Sequence, residues 1–465
     1  MKKVMGKAGE PSGGVAEPAA TAGHPGDGAA AYTGGCGGSL RYPLGRYRAA
    51  ISVFFFLQGT VFATWSARIP DVKQALSLND AQLGTILFFF PLGQLVSVPL
   101  SGYLVQKYSS RALLLCVALL YPLSLVGIGL MPTRAALAGM LFLLGVAANL
   151  HNLAANTQAV GLEKRYGRSI IGTFHGMWSL AGFVAGLTSS FLAVRHVTPF
   201  WHFCGVFGFG LLAVTVLHRF LLPEDLAAGA TDTAGAESRR RSRRDIRGGE
   251  PQSLREATGG GTAAVDGAEE AVPAKEKATF NIFRGMDRYL CLLGFLAFGC
   301  MLCEGSVYDW SAVYFGQTLK VDPVWIRAGY TGCMLAMASM RFLADGLVNR
   351  IGAVKVVRVS GFFIAIGFLT AVLFPRLLPA TVGFVLVGLG ISSVVPICYG
   401  MVKNSRAMSA GRAINAVSTI GFFGFVAGPP VVGYISEWLG MRLAFALVAC
   451  IGLLTGLLAG KLKLK

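Results

Sequence analysis

Two carboxylates interrupt a long apolar stretch of this 465-residue chain. Glu304 and Asp309 lie in a run that begins near Tyr289 and ends near Phe315. Charge is expensive inside a hydrocarbon layer, so acids at such positions usually face a cavity and carry function. A buried acid that takes up and releases a proton can couple proton movement to another process. We therefore predict that Glu304 is a proton-coupling site.

The spacing of the two acids gives them different predicted roles. They are five residues apart, which separates them by roughly 140° around an ideal helix. If that helix enters the bilayer at Tyr289, Glu304 lies about 22 Å deep and Asp309 lies near the far surface. We interpret Asp309, which is next to Trp310, as an interfacial residue or a structural cap at an outer gate.

Uncharged polar residues in other apolar runs predict a solute site. Asn149, Asn152 and Asn156 share one helix face, and His175 and Trp178 are one turn apart. Amides and a histidine at this depth could instead make hydrogen bonds between helices. Amides beside aromatic rings suit a hydroxylated solute such as a sugar or polyol. The predicted solute-binding residues are Gln58, Asn152, Asn156, His175, Trp178 and Tyr399.

A third polar pair lies in the eighth apolar run. Arg341 and Asp345 are four residues apart, which places them on one helix face. They lie near the predicted inner end of that run. We therefore predict a salt bridge that belongs to a gate, together with Asp309, and not a ligand site.

The elements that position these residues follow from composition. The chain is 54% hydrophobic and 14% charged, whereas soluble domains carry about 25% charged residues. A membrane-spanning helix needs about 20 apolar residues, and such runs recur along the whole chain. We predict an all-α membrane protein with about twelve transmembrane helices. The predicted spans are 49–67, 82–105, 112–131, 135–160, 170–194, 200–222, 289–315, 326–347, 354–374, 379–402, 413–435 and 443–460.

Short motifs recur between the two parts of the chain. "TWSA" at Thr64–Ala67 matches "DWSA" at Asp309–Ala312, and "GFVAG" occurs at both Gly182–Gly186 and Gly424–Gly428. The offsets are 245 and 242 residues. Matches in order at a nearly constant offset indicate a duplication. Two homologous six-helix halves around a central site are a transporter architecture.

The domain organisation follows from these runs. Residues 48–223 and 287–465 form the predicted halves. Residues 1–47 are rich in Gly, Ala and Pro and are predicted to be a disordered cytoplasmic tail. Residues 224–286 contain few bulky apolar residues and are predicted to be a flexible basic cytoplasmic loop.

The net charge of +18 first suggests nucleic acid as a partner, but the placement of the charges argues against it. With both termini in the cytoplasm, the short inner loops carry more Lys and Arg per loop than the outer loops. This is the bias of multi-pass proteins, and anionic lipid is the ordinary partner for such charges. We expect a cell (inner) membrane protein that contacts the lipid bilayer and does not bind nucleic acid.

The sequence contains few motifs that would indicate a metal site or an enzyme. Of nine cysteines, Cys300 and Cys303 form a lone CxxC pair inside an apolar run, with no second pair to complete a zinc site. Nucleophile-elbow, HExxH and phosphate-loop motifs are absent from the sequence. We therefore predict no metal, no cofactor and no enzymatic activity.

At this point the sequence resembles a known family. The loops "GYLVQKYSSR" and "DGLVNRIGAVK" resemble the G-x-L-x-D-R-x-G-R-K pattern of the major facilitator superfamily, although Gln106 and Asn349 replace its Asp. "WSARIPDVKQAL", "NTQAVGLEKRYGRSIIGTFHGMWSLAG" and "CEGSVYDW" are similar to the bacterial YbjJ/MosC-like, fucose-permease-like branch. The residues that this resemblance singles out are Asn156, Glu163, His175, Gly176, Glu304 and Asp309.

These observations together predict a secondary transporter that works by alternating access. We expect a monomer that carries a small polar solute together with protons. One alternative is proton-driven efflux of amphipathic compounds, which would need a more apolar cavity. Another is a membrane sensor that no longer transports, which would need a large soluble signalling domain.

Overall fold

The structure is a computed structural model that describes residues 40–167, 170–223, 283, 285–405 and 407–462. Most of the tail predicted for 1–47 and of the loop predicted for 224–286 lies outside the described residues. The first helix already begins at Leu44, a few residues before the predicted boundary.

The described residues form α-helices joined by short connections, and no β-strand occurs among them. In the first half the helices are α1 (Leu44–Ala75), α2 (Asp80–Leu87), α3 (Phe89–Val96), α4 (Val98–Tyr108), α5 (Ser110–Ile128), α6 (Arg134–Tyr166), α7 (Ile171–Val194) and α8 (Pro199–Leu217). In the second half they are α9 (Arg288–Val313), α10 (Ala328–Ile351), α11 (Ala353–Leu373), α12 (Leu377–Met401), α13 (Ala410–Leu439) and α14 (Met441–Ala459).

Ten of the described helices are long and apolar enough to cross a membrane. The chain from α2 to α4 adds a broken span, bent by 41° where α3 meets α4. Helix α10 has 24 residues, which is long enough to cross as well, and it carries Arg341 and Asp345 within its length. With the broken span and α10, the described segments make up the twelve predicted crossings.

The break in the second span has a local cause. Pro91 lies inside α3, and Pro99 occupies the first turn of α4. A proline removes a backbone donor and crowds the preceding turn, which bends or breaks a helix. The hydroxyl of Ser97 donates to the Gln94 carbonyl at 2.9 Å, at the junction of α3 and α4. The span that hydropathy predicts as one helix is therefore three short ones.

The two halves repeat the same packing. Helix α1 packs along α7, and their counterparts α9 and α13 pack in the same way. Both contacts depend on glycine. A β-carbon at Gly59 would lie 2.4 Å from the Trp178 carbonyl oxygen, and one at Gly424 would lie 2.2 Å from the Phe298 carbonyl oxygen. The duplication seen in the sequence therefore reappears as two equivalent close helix pairs.

Candidate functional site

A cavity of about 670 Å³ lies between the two halves. Helices α1, α3, α4, α6 and α7 line it from the first half, and α9, α10, α12 and α13 line it from the second. The lining residues are Phe55, Gln58, Gln94, Leu95, Val98, Asn149, Asn152, His175, Trp178, Met301, Glu304, Arg341, Tyr399, Asn415, Ser418, Thr419 and Phe422.

The structure brings most of the predicted site residues together. Those that line the cavity are Gln58, Asn152, His175, Trp178, Tyr399 and Glu304. Asn156 does not line it. The Asn156 amide donates to the Asn152 backbone oxygen at 2.8 Å and to Asn152 Oδ1 at 2.9 Å. Gln58 also donates to Asn152 Oδ1, at 3.3 Å. Asn156 therefore lies one turn along α6 from Asn152 and orients its side chain.

Glu304 is held at the cavity wall by its own helix and by α10. Its side chain is 16% exposed. The Tyr308 hydroxyl, one turn along α9, donates to Glu304 Oε1 at 2.5 Å. Arg341 Nη2 lies 4.0 Å from the same oxygen. At the equivalent position of the first half, Gly59 leaves no room for any side chain, so the acid occurs on one side of the cavity only.

Arg341 does not occupy the predicted place. Helix α10 continues to Ile351, beyond the predicted end of the span, and Arg341 therefore lies deeper than expected and lines the cavity. Its Nη1 donates to the Ser179 hydroxyl and to the His175 backbone oxygen, the latter at 3.3 Å. Its guanidinium carbon is 5.5 Å from the centre of the Trp178 ring. The side chain of Asp345, its predicted gate partner, lies outside the described part of the chain.

The location of Arg341 is the main feature that sequence reasoning missed. A charge inside an apolar run is a site candidate in its own right, and this signal was present in the sequence. The four-residue spacing to Asp345 predicts a partner on the same helix, whereas the described Arg341 side chain lines the cavity. The arginine instead joins the halves, since its neutral acceptors on α7 belong to the first half and its carboxylate neighbour belongs to the second.

Asp309 also differs from its predicted surroundings. It is only 9% exposed and does not line the cavity. The neighbouring Trp310 is fully buried. This burial argues against direct contact of Asp309 with lipid head groups. Helix α9 continues beyond Asp309 into a π-helical turn from Tyr314 to Thr318, in which Tyr314 and Phe315 are buried. A structural cap remains a prediction.

A second polar cluster closes the cavity at the end where α1 finishes. We call this cluster the seal, and it comprises Arg68, Asp71, Lys73, Asp80, Gln317, Arg327, Ser436 and Glu437. Arg327 Nη2 lies 2.5 Å from Asp71 Oδ2 across the halves, and Arg327 Nε donates to the Ala67 carbonyl at 2.7 Å. Arg68 lies 3.5 Å from the same Asp71 oxygen. Both arginines are about 1% exposed.

The other part of the seal is centred on Asp80. Its carboxylate accepts from Lys73 and from the Ser436 hydroxyl. The Lys73 ammonium also donates to Gln317 at 2.7 Å, and the Asp80 backbone N–H donates to Glu437 at 2.9 Å. The predicted spans leave Arg68 and Lys73 between the first two spans and put Arg327 at the start of the eighth, so the sequence does not predict the seal.

The seal lies beside a contact between two backbones. A β-carbon at Gly84 on α2 would lie 2.6 Å from the Pro429 carbonyl oxygen of α13. One at Gly433 would lie 2.7 Å from the Asp80 carbonyl oxygen. The two halves therefore meet here without intervening side chains.

Comparison with known proteins places the chain among transporters. The model of the Major Facilitator Superfamily matches residues 50–405 and 330–464. The chain is 32% identical over 395 residues to an uncharacterized MFS-type transporter of Yersinia pestis, covering 85% of this chain and 90% of that protein. It is 28% identical over 411 residues to the membrane protein MosC of Rhizobium meliloti, covering 87% of each.

The fold also has a counterpart among solved structures. The crystal structure of a point mutant of the nucleoside transporter NupG superposes with a TM-score of 0.64. The match covers 89% of this chain and 99% of that one at 12% identity. At this identity the likeness concerns the arrangement of helices and not the solute.

Proposed function

Given that this chain belongs to the Major Facilitator Superfamily and is a multi-pass membrane transporter, we propose that it moves a small polar solute together with protons by alternating access. The observation that carries this proposal is the cavity between the halves. Its volume of about 670 Å³ suits a small molecule, and it is lined with amides, aromatic rings and one carboxylate.

Alternating access is supported by the contrast between the two ends of the cavity. The described hydrogen bonds and ion pairs between the halves concentrate in and beside the seal and at Arg341. If both termini are cytoplasmic, α1 begins at the inner surface and ends at the outer one. The seal then closes the outer side, and the structure corresponds to an inward-open state of an inner-membrane protein. Rocking of the halves would open the seal and close the opposite end.

Proton coupling is assigned to Glu304. It is the carboxylate among the lining residues, and it faces the solute site directly. Protonation removes its charge and so changes which state of the rocking equilibrium is favoured. A solute that binds the same cavity biases the same equilibrium, which couples the two.

The polar lining favours this reading over efflux of amphipathic compounds. Amides at Gln58 and Asn152 and hydroxyls at Ser418 and Thr419 face the cavity. An apolar solute would leave Gln58 Oε1 and Gln94 Oε1, which have no hydrogen-bond partner among the described residues, unsatisfied. Each unsatisfied buried polar group costs about 1–3 kcal/mol. The apolar residues of the lining, such as Phe55 and Phe422, then serve as flat surfaces for a ring.

The proposal is tested with purified protein and a panel of neutral sugars, polyols, amino acids, sugar acids and hydrophobic cations. A bound solute stabilises the folded state by mass action, so we expect one polar class to raise the melting temperature. That solute should then accumulate in proteoliposomes when the outside is made acidic, and a protonophore should abolish accumulation.

Two results would contradict the proposal. Stabilisation by hydrophobic cations alone would favour efflux of amphipathic compounds. If no member of the panel stabilises the protein or enters the vesicles, a non-transporting sensor becomes the better account.

A further inference from the structure

Resting on the proposed function above, we propose that the transported solute carries a carboxylate, which Arg341 binds when Glu304 is protonated. The solute class would then be hydroxylated acids, such as sugar acids, and not neutral sugars. The inference rests on how Arg341 and Glu304 share the cavity.

The Arg341 guanidinium is only partly engaged by the protein. Its Nη1 is satisfied by two neutral acceptors, the Ser179 hydroxyl and the His175 carbonyl. Its Nη2 lies 4.0 Å from Glu304 Oε1, which is beyond hydrogen-bond distance. Its side chain is 21% exposed and lines the cavity. Donors of a planar fork therefore remain available to the cavity, and that fork matches the two oxygens of a carboxylate.

The ring beside this arginine fits the same solute. The guanidinium carbon lies 5.5 Å from the Trp178 ring centre, and Trp178 also faces the cavity. The Trp178 ring is itself held by stacking on Phe62, with ring centres 5.8 Å apart, and it fixes the orientation of the guanidinium toward the cavity. Asn152 and Gln58 lie on the same cavity wall and supply hydrogen bonds for hydroxyl groups.

Glu304 decides whether an anion can enter. When it is ionised, the charges of Glu304 and Arg341 cancel, and a solute carboxylate would meet like charge close to its binding site. When it is protonated, the lining keeps the positive charge of Arg341. The other titratable groups that face Glu304 are Tyr308 and Cys300 on α9, Cys333 on α10 and Tyr399 on α12, while His175 on α7 faces Arg341.

The transport stoichiometry follows from this exchange. One proton binds Glu304 on the outer side, and one solute carboxylate binds Arg341. Both leave on the inner side, and the net charge moved is zero. A neutral solute that travels with one proton would instead move one positive charge. The two cases therefore respond differently to membrane potential.

The test uses matched pairs that differ in one carboxylate: galactose with galacturonate, glucose with glucuronate, and glycerol with glycerate. In titration calorimetry on the full chain, we expect an acid to bind at least about 10-fold more tightly than its neutral partner. We also expect its binding to weaken as the pH rises, because an ionised Glu304 opposes a second negative charge beside Arg341. Glu304→Gln should remove this pH dependence while binding persists.

Variants of the arginine test its contact with the solute. Arg341→Gln should weaken acid binding by at least about 10-fold, since a charge-assisted pair is lost. Arg341→Lys keeps the charge but loses the fork, so it should give an intermediate loss even if the glutamine variant fails to fold. The matched control is Arg350→Gln on the same helix, an exposed position away from the cavity, which should bind as the wild type does.

Uptake into proteoliposomes completes the test. With a pH gradient imposed, a potassium–valinomycin potential, negative inside, should leave acid uptake unchanged. If the neutral members bind as tightly as the acids, or if that potential stimulates uptake, the inference is overturned although the proposed function stands. If no solute of either kind is bound or taken up, the proposed function fails as well.

Discussion

The seal and the cavity each hold an arginine and a carboxylate, but they hold them differently. In the seal, Arg327 contacts Asp71 directly at 2.5 Å across the halves, and both arginines there are about 1% exposed. In the cavity, Arg341 and Glu304 stand 4.0 Å apart on the same half, and both are partly exposed. Asp71 itself is 32% exposed, so the contrast lies in the direct contact and in the buried arginines. A buried arginine in direct contact resists separation, because without Asp71 it is an uncompensated charge. A loose pair beside water leaves room for a third group.

The difference suggests how the seal can open at all. Asp71 lies within 3.5 Å of Arg68, three residues earlier on its own helix. When the halves separate and Arg327 leaves, Asp71 keeps a cationic partner. The cavity has no such reserve for Arg341 among its lining residues, apart from Glu304. We therefore expect Asp71 to keep Arg68 as its partner when Arg327 leaves. Arg341, in contrast, should exchange its neighbour Glu304 for a group of the solute.

The largest expected effect is at the acid of the cavity. Glu304→Gln keeps the shape of the side chain and removes its titration, so pH-driven accumulation should be abolished. Solute exchange and counterflow should remain measurable, because the cavity is otherwise unchanged. The matched control is Asp309→Asn, which should retain coupling because Asp309 does not line the cavity. Accumulation by the Glu304→Gln protein under a pH gradient alone would reduce Glu304 to a structural hydrogen-bonding residue.

The next effect is at the carboxylate of the seal. Asp71→Asn leaves Arg68 and Arg327 buried without an anionic partner. Removing one member of a buried pair costs about 3–5 kcal/mol, and the lower end applies here because the Asp71 side chain is 32% exposed. The population should move toward the state with the seal open.

Spin labels at Ala75 and Val324, which are exposed at this end of the molecule, measure that shift in a variant whose reactive cysteines are replaced by serine. Double electron–electron resonance should report a longer distance between the two spin labels in Asp71→Asn than in the parent. An unchanged distance distribution would mean that the backbone contact alone holds the seal closed.

A smaller effect on solute binding is expected at two neighbouring amides of α6, Asn152 and Asn156. Asn152→Ala removes a cavity-lining amide, and the loss of a hydrogen bond worth about 1 kcal/mol weakens solute binding roughly 5-fold. Asn156→Ala should have a weaker effect, because Asn156 reaches the solute only by orienting Asn152. Calorimetry on both variants tests this order. Equal affinity in both variants and in the parent would remove the sixth helix from the binding site.

The smallest effect is at the exposed edge of the seal. Glu437 accepts from the Asp80 backbone N–H at 2.9 Å but is itself exposed. Exposed charge contacts contribute about 0–1 kcal/mol, so Glu437→Gln should change the same spin-label distances little. Lys73→Met, which removes a nearly buried cation from Asp80, should change them more. A larger change in Glu437→Gln than in Lys73→Met would mean that the exposed contact contributes more to the closed seal than the buried one.

The fold was largely predictable, because a bilayer imposes long apolar runs and a duplication leaves its offset in the sequence. The broken second span was visible only as Pro91 and Pro99, and hydropathy averages over both. Helix α10 was placed correctly but ended too early, since Arg350 lies in its last turn and charges near a span end blur the boundary.

A site residue could be predicted only where its own type is unusual for its segment. Glu304 stands out because an acid is rare in such a run. Asp71 and Arg327 do not, because they lie 256 positions apart in the chain and neither looks unusual in its own segment. Pairing across the halves depends on the three-dimensional arrangement, and periodicity along one helix does not encode it. The contacts of Arg341 with Ser179 and Glu304 were missed for the same reason, while the predicted pair with Asp345 stays a prediction.

The close backbone contact between Gly84 and Gly433 has a consequence for the entropy of closure at the seal. A surface made of backbone has no rotamers to restrict, so its closure involves no loss of side-chain conformational entropy. Each ordered Lys or Arg beside it loses as much as about 2 kcal/mol of that entropy. Closure therefore loses conformational entropy at the polar side chains and not at the glycine surface, and this loss makes the closure equilibrium temperature-dependent. Changes in the length and charge of these side chains would shift that equilibrium while the glycine contact stays the same.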